Sequence, residues 1–132
     1  MTKEEIESFE KVFTQLMSFH QETAVLVKKD PDGAMNKFKL QLINKVIAKA
    51  NEIVGDTKPF DDFDGFDIEN DLPFNSDVAM ILGQYINCME LLRKDNVHIW
   101  SGRWYWNVDG NSSGETPGPT TTYVRSPVKI AL

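Results

Sequence analysis

Cysteine and histidine are scarce in this chain of 132 residues, which has one Cys and two His. A single Cys excludes a disulfide within the chain, and the three residues together exclude a Cys/His structural zinc site. Long apolar runs are missing too. None approaches the roughly 18 residues that a membrane-spanning helix needs, and the opening MTKEEIESFE has no apolar core of the kind a signal peptide carries. A cytoplasmic protein that does not enter a membrane is therefore expected. An excess of positive charge is also absent. Lys and Arg number 14 against 20 Asp and Glu, a formal charge of −6, which argues against direct binding of nucleic acid or of an anionic membrane. The local signatures of catalysis are lacking as well: no nucleophile elbow, Walker loop, dinucleotide fingerprint or HExxH occurs. No cofactor and no metal are expected, and no residue is assigned a catalytic role.

What is present is ordinary globular material. Hydrophobic residues make up 41% of the chain, and its length fits a single domain that buries roughly two thirds of its unfolded surface. Thr2 and Glu5 have the spacing of a capping box. Behind them Ile6, Phe9, Phe13, Leu16, Met17, His20, Ala24 and Val27 recur at steps of three and four, which predicts a helix to about Lys29. Val12, Phe19 and Leu26 form a second apolar stripe. A helix apolar on two faces is packed on both, within a bundle or against another chain. After the turn Asp30-Pro31-Asp32-Gly33, a second helix is expected from Gly33 to Val54. Its core face is read as Met35, Phe38, Leu42, Val46, Ala50 and Ile53, with Gly55 as its cap. Two helices joined by so short a turn form an antiparallel hairpin. A third helix, residues 77–95, is capped by Asn75 or Ser76 and carries the stripe Val78, Leu82, Tyr85, Met89 and Leu92. From residue 97 the composition turns to β, with VHIWSGRWYWNV read as one strand that pairs with TTTYVR or VKIAL across a polar loop.

The expected fold class is α+β: a three-helix body, made of an antiparallel helical hairpin plus a third helix, closed by a C-terminal antiparallel β-ribbon. The single domain divides into the hairpin (1–55), an acidic aromatic loop (56–76), the third helix (77–95) and a Trp-rich ribbon and tail (97–132).

The charge is unevenly placed. Residues 56–77 contain eight acids and one base, Lys58, for −7, while the rest of the chain sums to +1. Phe60, Phe63, Phe66, Ile68, Leu72 and Phe74 interleave with the acids, unlike a disordered acidic tail. The loop reads as an ordered connection pinned by its aromatics. Its carboxylates Asp61, Asp62, Asp64, Asp67, Glu69 and Asp71 then form a surface for a basic protein, as in an inhibitor, an immunity-type protein or a nucleic-acid mimic. The loop could also cover the Lys37, Lys45 and Lys49 row of helix two, which otherwise reads as a solvated face. Calcium is not expected. The window ending at Gly65 has Phe60 where the first ligand belongs, and the one starting at Asp109 has Thr120 in place of the closing carboxylate. The sequon at Asn111 is read as chance.

Trp100, Trp104 and Trp106 share parity in an uninterrupted strand, with Arg103 on the other side. The Trp row reads as the buried face of the ribbon or as a partner interface, and Gly102 is a place where that parity can break. With Arg103, the three Trp residues join the candidate partner-binding set. His20 and Cys88 read as core or boundary residues.

Two further function classes stand beside a non-catalytic binding module. One is a small hydrolase-like enzyme using His98 with a loop carboxylate. The other is an oligomer-forming structural subunit, a homo-oligomer built through the Val12/Phe19/Leu26 stripe or the ribbon.

Overall fold

The computed structural model describes residues 1–109 and 123–124, and these form three helices followed by a small antiparallel sheet. Helix α1 spans Lys3–Lys29, α2 Lys37–Val54 and α3 Asn75–Lys94, with a short 3-10 turn at Gly55–Thr57. The capping box expected at the start of α1 is formed. Thr2 N–H donates to Glu5 Oε1 at 2.9 Å, and Glu5 N–H donates to Thr2 Oγ1 at 3.1 Å. The backbone N–H of Thr2, and after it the Thr2 side chain, hydrogen-bond the Glu5 carboxylate and hold it below its ordinary value.

Helix α2 begins four residues later than the periodicity suggested. Asn36 is the cap, its Oδ1 accepting from Lys39 N–H at 2.9 Å. The preceding residues go elsewhere: Ala34 forms an antiparallel bridge with Phe74, and Met35 N–H donates to Pro73 C=O at 3.1 Å. Gly33 C=O accepts from Asn75 N–H at 2.8 Å, and Asn75 Nδ2 donates to Asp30 C=O at 2.9 Å. The turn between α1 and α2 is thus stitched to the start of α3. That start is residue 75 rather than 77, because Asp77 reaches back to accept from Phe74 N–H at 3.1 Å.

The core combines Ile6, Phe9, Val12 and Leu16 of α1 with Leu40, Ile43, Val46, Ile47 and Ala50 of α2 and Val78, Leu82, Tyr85 and Met89 of α3. The second stripe of α1 packs within the bundle, one of its two expected places, and one expectation for α2 changes. Val12 is buried within the chain, and Phe19 and Leu26 lie half-buried against the same core. On α2, Phe38 is 69% exposed and Leu42 38%, so they are not core. Met35, Val46 and Ala50 of the expected face are buried as read, but packing against α1 and α3 adds Leu40, Ile43, Ile47 and Val54 in place of Phe38 and Leu42.

The stretch read as a single strand is a hairpin. Strand β1, Val97–Trp100, turns through Ser101 and Gly102 into β2, Arg103–Trp106, and β3, Tyr123–Val124, pairs with β2 on its other edge. Both turn residues have positive φ, 52° for Ser101 and 77° for Gly102. A two-residue hairpin turn needs that geometry to match strand twist, and Gly102 adopts it without steric cost. Pairing of β2 with residues 123–124 agrees with the expected ribbon. The strand VKIAL, the sequon and the second calcium window beyond Asp109 fall outside the described residues. No helix among the described residues is long and apolar enough to cross a membrane.

Candidate functional site

The acidic loop is an ordered segment, and polar side chains of the helices hold its backbone. Asn44 of α2 grips Phe66 at both ends of the peptide: Nδ2 donates to Phe66 C=O at 2.9 Å, and Oδ1 accepts from Phe66 N–H at 2.8 Å. Asn51, two turns on, donates to Phe63 C=O at 3.3 Å while its Oδ1 accepts from the buried Tyr85 hydroxyl at 2.7 Å. Burial raises the Tyr85 pKa above its ordinary 10.0. Gly65 passes so close to Asn44 that a Cβ there would sit 2.9 Å from Oδ1, and its φ is +154°. Only glycine allows this approach.

Aromatic packing completes the anchor. Phe63 meets Phe60, Phe66 and Tyr85 at centroid distances of 6.4, 5.2 and 6.4 Å, mostly edge to face. Phe63, Phe66, Ile68 and Leu72 are packed against the core. Phe63 and Phe66 thus face inward, as expected, while Phe60 and Phe74 stay 39% and 48% exposed.

The six candidate acids are all exposed, but they divide into two groups. Asp67 and Glu69 have structural work. Asp67 accepts from the N–H groups of Glu69 and Asn70 at 2.9 and 3.2 Å and from Asn70 Nδ2 at 3.2 Å, and these bonds lower its pKa. Glu69 pairs with Lys37 at 3.5 Å. Asp61, Asp62, Asp64 and Asp71 have neither a side-chain hydrogen bond nor an ion pair among the described residues. Asp61 and Asp62 are the two central residues of a turn closed by Phe63 N–H to Phe60 C=O at 3.3 Å. Three exposed carboxylates without a partner among the described residues therefore lie within four residues, next in sequence to the exposed Phe60. The covering of the helix-two lysines amounts to the Lys37–Glu69 pair, since Lys45 and Lys49 form no ion pair among the described residues.

The hairpin separates the Trp residues. The register pairs Val97 with Trp106, His98 with Tyr105, Ile99 with Trp104 and Trp100 with Arg103. Paired residues share a face, so Trp104 and Trp106 point one way with Val97 and Ile99. Trp100 and Arg103 point the other way with His98 and Tyr105. The single-face row is corrected by the turn at Ser101–Gly102, which reverses the chain between Trp100 and Trp104. Trp106 is fully buried, 5.0 Å edge-to-face from Phe9, and offers no surface to a partner. Trp104 is half-buried against the core, whereas Trp100 is 45% exposed and Arg103 exposed. His98 stacks on Tyr105 at 6.2 Å, and its Nδ1 donates to Asn107 Oδ1. His98 forms no ion pair with any acid of residues 61–71, and Trp100 meets Tyr105 edge-on at 6.4 Å. Among the described residues no group of three or more His, Cys, Asp or Glu side chains could hold a metal ion. Cys88 lies half-buried with its Sγ 3.4 Å from Thr57 C=O, and burial raises its pKa.

One buried charge escaped the sequence reading. Arg93, in the last turn of α3, is 6% exposed. Its guanidinium lies 4.3 Å from the Phe13 ring centre, 5.3 Å from Phe9 and 5.8 Å from Trp106. It pairs with Glu10 at 3.6 Å and Glu90 at 3.7 Å, and Trp106 Nε1 donates to Glu10 Oε1 at 3.1 Å. This cluster joins the hairpin to α1 and α3. The sequence holds its signal: Arg93 is four residues beyond Met89 and continues the buried stripe of α3.

No protein-family model matches the chain, and neither a curated protein nor a solved structure matches it.

Proposed function

We propose that this chain is a non-catalytic binding module whose acidic turn meets a basic surface on another protein, in the manner of an inhibitor, an immunity-type protein or a nucleic-acid mimic. The observation that carries the reading is the division among the loop acids. Among the described residues Asp61, Asp62, Asp64 and Asp71 form no side-chain hydrogen bond or ion pair, and Asn44, Asn51 and packed Phe63 and Phe66 fix the backbone around the first three. Four unpaired negative charges held in place repel one another and contribute nothing visible to the fold. Their net effect becomes favourable when a cationic surface covers them. A fixed backbone also means that little ordering entropy is lost on binding. Phe60, exposed beside Asp61, supplies an apolar anchor of the kind that concentrates binding energy at an interface centre.

Two immobilised forms of the protein test this in extract of the native cell. One is wild type; the other carries Asp61→Asn, Asp62→Asn, Asp64→Asn and Asp71→Asn. The expected result is a basic protein retained by the first and lost by the second, while Glu69→Gln retains it. Equal retention by both surfaces would contradict the proposal.

A further inference from the structure

A groove of about 480 Å³ opens between α1 and α2, on the side of α2 away from the acidic loop. Leu42 lines the groove and Asn44 holds the loop, and two positions apart on a helix lie on nearly opposite sides. The floor is apolar, with Phe19 and Leu26 from the second stripe of α1 facing Met35 and Ile43. Val25 (52% exposed) and Phe38 (69% exposed) project from its two banks. Each bank also carries one charge: Glu22 on α1 and Lys39 on α2 both line the groove, and neither forms an ion pair among the described residues. An exposed Phe and Val beside a concave apolar floor present both a projecting part and a hollow to receive it.

We infer that the groove is the seat of a second copy of this chain, related by a two-fold axis. Such an axis requires one surface to be complementary to itself. This surface has the elements: an apolar projection beside an apolar hollow, and an acid and a base on opposite banks. Across the axis Glu22 of each copy faces Lys39 of the other, while Phe38 of each enters the other's groove. An amphiphile with one anionic end would leave Glu22 facing its own sign, and a purely apolar ligand would use neither charge. The inference does not rest on the acidic turn, which lies on the other flank of α2.

Sedimentation equilibrium over a concentration series reads the association, with helix content followed by circular dichroism to show that each variant is folded. Wild type is expected to dimerise. Phe38→Glu alters an exposed position and is expected to raise the dissociation constant at least about tenfold with helix content unchanged. Lys39→Glu and Glu22→Lys alone each place like charges across the axis and weaken the dimer, and the two together restore it. Asp61→Asn with Asp62→Asn leaves it unchanged. A wild type that remains monomeric throughout, a dimer indifferent to Phe38→Glu, or a charge exchange that fails to restore association would overturn the inference. A copurifying amphiphile seen by native mass spectrometry on a monomer would do so too.

Discussion

Replacing Asn44 with Ala removes the two hydrogen bonds that fix the acidic loop to α2, at 2.9 and 2.8 Å. A typical bond of this kind contributes about 1 kcal/mol net. Phe66 is half-buried, so water recovers part of the loss, and the expected destabilisation is between about 1 and 2 kcal/mol. For a domain of this size that lowers Tm by roughly 4–8 °C. A urea titration is expected to show a lower midpoint with an unchanged slope, and amide exchange to quicken at Phe66. Gly65→Ala attacks the same contact from the other side. Its Cβ would stand 2.9 Å from Asn44 Oδ1 and 3.1 Å from Cγ, and Asn44 can move aside only by giving up Phe66. The two substitutions together are therefore expected to cost less than their sum, by about 1 kcal/mol in a double-mutant cycle. A strictly additive pair, or an Asn44→Ala protein with the wild-type midpoint and unchanged Phe66 exchange, would refute the idea that this residue fixes the loop.

Three further outcomes are expected. Arg93→Met leaves Glu90, whose side chain is 12% exposed, without its cation and strips the guanidinium from three rings, costing about 3 kcal/mol. Adding Glu90→Gln is expected to recover a substantial part in the same urea titration. Gly83→Ala is expected to stabilise by about 0.5–1 kcal/mol, since the added Cβ meets only His20 Nε2 at an ordinary 3.7 Å and a mid-helix glycine is replaced; a lower thermal midpoint would refute it. Tyr85 gives an alkaline signature. Its raised pKa means that the unfolded chain releases the proton first, so its contribution is intact below about pH 10 and lost as pH rises through the folded value. Tyr85→Phe is expected to flatten that part of the stability–pH profile.

Much of the fold was legible because helix periodicity is a strong signal. The stripe through Val78, Leu82, Tyr85 and Met89 and the Thr2–Glu5 cap are found as read. What failed did so where two solutions were locally equivalent. In α2 only contact with α1 and α3 decides between Phe38 and Leu40. In the hairpin, alternation ran straight through Ser101 and Gly102, because Ser-Gly is a weaker turn signal than Asn-Gly and its positive φ values are invisible to parity. The acidic turn was legible from charge placement alone. Its fixed backbone was not, because Asn44 and Asn51 look like solvent-facing helix residues until the loop returns over them. Arg93 was hidden by its type, since a cation in a last turn has an ordinary explanation in the helix dipole.

The proposed role of Asp61, Asp62, Asp64 and Asp71 is to steer a basic partner onto this protein. The rate of association with the captured partner, measured from low to high ionic strength, tests it most directly. The wild-type rate is expected to fall steeply with salt. The variant with Asn at 61, 62, 64 and 71 associates at least about tenfold more slowly at low salt, with a flattened slope. Equal rates and equal slopes for the two proteins would contradict it.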